Sequence, residues 1–426
     1  MSQQGFSEPG RTPRPAHGWG DALLTVLAAL VVMAVTAALG LWAAGAADLP
    51  DGAFPHVVAA VVVMAAGGSV ALSGNAGDLA RTHAEISVLP LSVTLAGALV
   101  MAAGFLRPLR HRAVADAREL AGWAARVAVL WALVLIGLSF LAGERFDIPL
   151  QDAGEAAVAD LLGASPEVGF RTDVLLTLVL GLVWLAGILV LALLVSRSAP
   201  LPARLVRVQE TVRPPAFAMV ALLLGYVLVG LVVALVVAAT RGHPAQTFAV
   251  ILLGLPNLVW PAYTLGLGAS WEGRAEGPFG LPMPQLLDSV LRTPDISTVD
   301  VATLADRDGR AWWLVVAAAL FTLAAAFLMA VRSPARMRPW QHAVHMAVAL
   351  VLTVLTICLV ARVSAHYGLS LLGIGDLGGG LGAEVTLRPR LWSALAVAAL
   401  WGLVTGFLGG VLASGVLRRG EVPADG

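Results

Sequence analysis

No lysine occurs among the 426 residues, cysteine occurs once, and only 13% of the chain is charged. Each shortage excludes something. A lone cysteine, Cys358, set inside an apolar run, allows neither an intrachain disulfide nor a cysteine metal cluster. The 27 basic residues are all arginine, which fits high-GC codon usage, and 27 acidic residues bring the formal net charge to zero. That balance, with the arginines confined to short loops, argues against a nucleic-acid surface. Also missing are His-Glu-x-x-His, the Walker loop, the dinucleotide-binding glycine pattern and the nucleophile elbow, so no enzymatic activity is expected and no cofactor is implied. What the chain has instead is apolar residues, 58% of the total, with a mean hydropathy of +0.85. Such a composition belongs to a membrane protein.

Ten apolar segments are legible, at roughly 21–47, 55–72, 86–106, 122–142, 173–195, 215–239, 247–269, 311–331, 343–366 and 391–416. Arginine-rich loops follow the third (Arg107, Arg110, Arg112, Arg118), fifth (Arg197, Arg204, Arg207, Arg213), eighth (Arg332, Arg336, Arg338) and tenth (Arg418, Arg419). The positive-inside rule makes these cytoplasmic. Acid-rich loops follow the fourth (Glu144, Asp147, Asp152, Glu155) and the seventh (Glu272, Glu276, Asp288, Asp295), and should face outward. Arg11 and Arg14 place the N-terminus inside, so parity leaves no full crossing for the second or the seventh segment. The expected fold is an all-α, polytopic helical membrane protein with about eight transmembrane helices and two re-entrant or broken segments.

Local sequence agrees with that count. The second segment is broken at Gly67-Gly68-Ser69 and the seventh at Leu255-Pro256-Asn257. Each half then reads span, re-entrant segment, span, span, span, which predicts a parallel internal repeat. Glu167-Val168-Gly169-Phe170-Arg171 matches Glu384-Val385-Thr386-Leu387-Arg388, and Trp184 and Trp401 follow at the same distance. The domain organisation expected is a disordered tail (1–18), a first membrane half (19–199), a cytoplasmic linker (200–213), a second half (214–418) and a short tail (419–426).

Opened backbone at membrane depth survives only inside protein or beside water, so the two breaks nominate a pore or cavity. Its candidates are Gly67, Gly68, Ser69, Ser73, Asn75, Pro256, Asn257 and Tyr263. The four-residue spacing of Glu167/Arg171 and of Glu384/Arg388 puts each pair on one helix face at the outer mouth of a span, a candidate outer gate. His342 and His345 share a helical face but sit beside Arg338 and Trp340, where interfacial anchoring explains them. The long outer loops are expected to lie as short helices, at 153–162 and around 285–291.

GWGDALLTVLAALVVMAVTAALGLWAAGAADLPDGAFP, AAGGSVALSGNAG and PLSVTLAGALV together resemble the streptophobe family, hydrophobic membrane proteins of Streptomyces and its relatives. The resemblance covers the whole chain and implies a multi-spanning membrane protein, with no activity or site residue to transfer. LPNLVWPAYTLGLGASWEG followed by GPFGLPMPQLL is similar, over about a tenth of the chain, to PerM-like cell-division membrane proteins, with Ala269-Ser270 where that pattern carries Gly-Phe.

The functional expectation is a small-solute transporter or channel-like protein of the bacterial plasma membrane, both termini cytoplasmic. The alternative is a non-transporting envelope or cell-division-associated scaffold. The expected partners are the lipid bilayer and other membrane proteins or further copies of the chain.

Overall fold

The computed structural model describes residues 18–48, 52–76, 80–111, 117–143, 145–147, 166–196, 203–240, 242, 244–276, 297–334, 336–371 and 383–415. Its helices, in chain order, are α1 Trp19–Ala43, α2 Ala53–Ala65, α3 Leu91–Leu106, α4 Ala117–Leu141, α5 Val174–Val195 and α6 Ala203–Thr240. They continue as α7 Pro244–Leu267, α8 Val301–Ala305, α9 Trp313–Arg332, α10 Pro339–Val360 and α11 Leu391–Leu412. Eight of the helical stretches are long and apolar enough to cross a membrane: α1, α4, α5, Thr211–Thr240 of α6, α7, Gly309–Arg332, α10 and Leu391–Gly415. The protein is an integral, multi-pass helical membrane protein.

The number of long spans is the expected one, but their membership differs. α7, the seventh apolar segment, is long enough to cross, whereas α3, the third, has only 16 residues. At 1.5 Å per residue α3 is about 24 Å long, short of a hydrocarbon core of about 30 Å. A 3-10 turn at Pro108–His111 extends it toward Arg107 and Arg110.

The bundle packs through small residues while large ones face outward. A Cβ placed on Gly402 would land on the Ala347 backbone, and one on Gly406 would meet the His342 carbonyl, so α10 and α11 approach backbone to backbone. Gly97 of α3 accommodates Met33 of α1, and Gly104 accommodates Thr25, which makes those two helices antiparallel. Leu175, Val183 and Val190 of α5 and Leu228, Val232 and Val236 of α6 are exposed, as lipid-facing residues should be.

The loops hold an element absent from the sequence reading. Strands β1 Val70–Ala76, β2 Ala80–Ser87, β3 Arg145–Asp147, β4 Pro166–Thr172, β5 Trp271–Glu276, β6 Ser297–Val299, β7 Val363–Leu371 and β8 Ala383–Pro389 form one sheet. Its order is β3-β4-β1-β2-β7-β8-β5-β6, and every neighbouring pair is antiparallel. Alternate residues of a strand belong to opposite faces. The register puts Val70, Trp271, Val299 and Val385 on one face, and all four are buried. No charged residue of the eight strands shares that face; all fall on the other. The described parts of the acid-rich loops are thus amphipathic strands. The two outer-loop helices expected from the sequence fall at 153–162 and 285–291, outside the described residues.

All strands attach to helix ends on one side of the bundle. The arginines Arg107, Arg118, Arg332 and Arg338 lie at the opposite helix ends, in agreement with the separation of acidic and basic loops. Arg332 rests on the Phe217 ring at 3.6 Å, which fixes the start of the apolar part of α6 on that same opposite side.

The two halves of the chain contribute four strands each in the same order, β3-β4-β1-β2 and β7-β8-β5-β6. Buried positions also run in step. Trp123, Val127, Trp131, Leu135 and Ser139 of α4 correspond in spacing to His342, Met346, Leu350, Val354 and Cys358 of α10. Likewise Val93, Gly97, Met101 and Phe105 of α3 correspond to Ala318, Thr322, Ala326 and Ala330 of α9. α2 and α7 end in the same cap. In α2 the Gly67 N–H donates to the Met64 carbonyl and the Gly68 N–H to the Val63 carbonyl; in α7 the Gly268 N–H donates to Leu265 and the Ala269 N–H to Thr264. Gly67 and Gly268 both have φ of +100°. This is the Schellman arrangement, which places glycine in the left-handed region just past the helix.

Replacing Gly67 or Gly268 by alanine should therefore cost about 1 kcal/mol each in the detergent-solubilised protein. The same change at Gly122 or Gly187, helical positions with open space around them, should be neutral or slightly stabilising, since alanine is the better helix former. Thermal unfolding followed by circular dichroism compares the four variants.

Candidate functional site

α7 is not one continuous helix. Gly254 has φ −141° and ψ 19°, and Pro256, two residues on, has no N–H to offer the preceding turn. An interrupted helix at membrane depth leaves a carbonyl and an N–H without partners unless something fills the gap. Ser92 of α3 fills it. Its hydroxyl donates to the Ile251 carbonyl at 2.8 Å and accepts from the Leu255 N–H at 3.1 Å. Those two groups would bond each other in an unbroken helix, so the serine is inserted into the ladder and holds the kink open.

Asn257 completes the seal in the other direction. Its Oδ1 accepts from the Leu91 N–H at 3.0 Å, and its Nδ2 donates to the Leu89 carbonyl at 2.7 Å. Leu91 opens α3, where the first N–H groups have no partner within the helix. One amide side chain thus caps α3, holds the strand-to-helix link at Leu89, and ties the second half of the chain to the first.

Beside this junction lies a cleft of about 250 Å³ lined by Val61, Met64, Val88, Leu89, Pro90, Leu253, Gly254 and Asn257. Apart from the Asn257 amide, already engaged at both ends, the lining side chains are apolar. The last two turns of α2, not the Gly67-Gly68-Ser69 turn that follows, face the α7 break here.

The candidate pore residues are placed as follows. Gly67 is the left-handed cap residue of α2; Gly68 packs against Val63 and Thr177; Ser69 links the cap to β1. Ser73 and Asn75 lie in β1, opposite His83 and Arg81 of β2 and Gly169 and Glu167 of β4, with side chains outside the described set. Pro256 is buried. Tyr263 is fully buried, shares a hydrogen bond of 2.9 Å with the Thr322 hydroxyl, and meets the Tyr226 ring edge-on at 4.8 Å. Of these candidates, Asn257 alone is among the residues lining the cleft.

The outer-gate residues require a correction. Glu167 and Arg171 are in β4, Glu384 and Arg388 in β8, not on helices. Four residues along a strand keep one face but stand about 13 Å apart, too far for a pair. Their mutual correspondence persists in another form: Arg171 is opposite Ala71 of β1, as Arg388 is opposite Glu272 of β5. Glu272 pairs with Arg390 at 2.6 Å, an exposed ion pair of little energetic weight.

α2 and α7 keep both ends near the sheet. His56, near the start of α2, hydrogen-bonds the Leu141 carbonyl at the sheet end of α4 at 2.7 Å, and the Ala65 carbonyl at its end accepts from Thr94 in the first turn of α3 at 2.8 Å. In α7, Leu253 packs on Gly40 near the sheet end of α1, Asn257 on the start of α3, and Gly266 on the Leu314 carbonyl at the sheet end of α9.

The sequence reading missed Ser92 and Thr94, because a serine and a threonine in the first turn of an apolar helix carry no distinctive signal. No family model, no curated protein and no solved structure matches the chain.

Removing the seal should be costly. Ser92→Ala leaves the Ile251 carbonyl and Leu255 N–H unpaired, and Asn257→Ala does the same to Leu91 and Leu89. Each should destabilise the protein by about 1–3 kcal/mol. Hydrogen exchange read by mass spectrometry should rise at residues 251–257 in both variants before it rises elsewhere.

Proposed function

We propose that the protein is a non-transporting membrane scaffold of the bacterial envelope, whose helices hold an eight-stranded sheet at the outer membrane face for assembly with other membrane components. The supporting observation is the sealed break in α7. A transporter's discontinuous helix leaves its free backbone groups to substrate or ion. Here Ser92 takes up the Ile251 carbonyl and the Leu255 N–H, the Asn257 side chain is engaged by Leu89 and Leu91 at the start of α3, and the other side chains lining the adjoining cleft are apolar.

Three finer readings belong with this one. The chain is an internal duplication of parallel halves; the repeated strand order, the two identical glycine caps and the matching buried positions support it. α2 and the whole of α7 are re-entrant from the sheet side; the position of both their ends near the sheet supports that. The arginine-bearing ends face the cytoplasm by the positive-inside rule, which puts the sheet outside. The resemblance to streptophobe proteins, and the partial one to PerM-like cell-division proteins, accords with an envelope role without enzymatic activity. A small-solute transporter is the competing reading, favoured by the presence of two interrupted segments near the junction of the halves.

Orientation is tested by impermeant maleimide labelling after Cys358→Ser. Single cysteines at Asn75 and Ser270 should both label in intact cells, and one at the exposed Arg336 only after permeabilisation. Labelling of Ser270 solely from the cytoplasm would remove the re-entrant reading. Transport is tested in reconstituted vesicles with a panel of sugars, amino acids and inorganic ions. Entry rates equal to those of protein-free vesicles are expected; protein-dependent, saturable uptake of any of them would overturn the scaffold reading.

A further inference from the structure

The cleft beside the α7 break presents an apolar surface, and Asn257, the one polar side chain on its wall, is already engaged at both ends. A buried water needs two to four polar partners, and an apolar cavity of about 150 Å³ already stays dry and takes up benzene. At about 250 Å³ this cleft is larger, and its lining suits hydrocarbon better than water.

Exposed tryptophans fix its depth. Trp42 near the end of α1, Trp312 and Trp313 where α9 begins, and Trp392 at the start of α11 are each more than half exposed, and all four lie at the sheet end of the bundle. Trp19 and Trp340 are similarly open at the opposite end. Two such levels mark the membrane–water interfaces, where indole rings collect. Leu253, on the cleft wall, packs on Gly40, which precedes Trp42 by two residues, about 3 Å along α1. The cleft therefore lies just inside the interface on the sheet side, at the level of the acyl chains. It is also continuous with the surface that the bilayer covers: Met64, Leu253 and Gly254 are partly exposed, and Leu258, one turn on from Gly254, is exposed.

We propose that this cleft binds an acyl chain of a phospholipid in the sheet-side leaflet. The chain packs against Val61 and Met64 of α2, the Val88-Leu89-Pro90 link and the broken turn of α7, supplying contacts that an empty space would forfeit. Met64, unbranched and flexible, adapts its wall to the occupant. Because α2 belongs to the first half of the chain and α7 to the second, the lipid fills a gap at their junction. This holds whether the protein scaffolds or transports.

The test uses full-length protein in phosphatidylcholine vesicles containing a small fraction of phosphatidylcholine with a diazirine on the upper part of one acyl chain. After irradiation, mass spectrometry of the digested protein should find adducts at residues 253–254, besides those on the exposed Leu39 and Val236. Val88→Phe, which fills the cleft, should lower the adducts at 253–254 several-fold and leave those at Leu39 and Val236 unchanged. Val61→Phe repeats the test from the α2 wall, and melting curves establish that each variant is folded. Adducts confined to lipid-facing residues, or adducts at 253–254 undiminished in both filled variants, would overturn the proposal. So would disulfide-linked dimers of Met64→Cys in a Cys358→Ser background, which would put a second copy of the chain on the cleft.

Discussion

Backbone polar groups cannot be left unpaired where water is scarce, and the rest of this architecture follows from how the chain meets that constraint at α7. The helix is interrupted because Gly254 leaves helical geometry and Pro256 lacks an N–H. The interruption persists because Ser92 bonds the Ile251 carbonyl and the Leu255 N–H. Asn257 then satisfies the start of α3. Because α3 belongs to the first half of the chain and α7 to the second, one local repair joins the two halves. The hydrogen bonds are few, but each removes a desolvation penalty that the bilayer would impose in full.

The sheet answers the same constraint at the membrane surface. Loops joining so many helices would expose long runs of backbone; pairing them into a single antiparallel sheet satisfies those groups mutually. Alternation then sorts side chains. Val70, Trp271, Val299 and Val385 cover the bundle on the buried face, and the charged residues are assigned to the other. The small-residue seams of α3 and α11 allow the helices beneath to pack closely enough for one sheet to reach across both halves.

Much of the membrane fold was legible in the sequence, because length and apolarity suffice to mark a span and arginine placement separates the two sides. The matching Glu-x3-Arg stretches pointed to corresponding places in the two halves. They were placed on helices because four-residue spacing is a helical signal, whereas each is seven residues of alternating character, a short strand embedded in what reads as a charged loop. The break at Pro256-Asn257 was visible, but the Gly67-Gly68-Ser69 turn differs from it in geometry, being a helix cap. Gly67 matches Gly268, a glycine that looked like one of many in an apolar run until its φ and its cap bonds were known.

Composition and charge pattern by themselves determined that the chain lives in a bilayer, that its spans number about eight, and that its acidic and basic loops lie on opposite sides. These are properties of single segments and their immediate flanks, so the order of residues is enough. Tertiary structure alone decided that the described loop segments pair into a sheet, that Ser92 closes a break more than 150 residues away in sequence, and that β2 of the first half pairs with β7 of the second. The reason is physical: strand register and side-chain insertion are relations between segments distant in the chain, and a one-residue change of register would turn a strand's buried residues to the opposite face without altering any segment's own pattern.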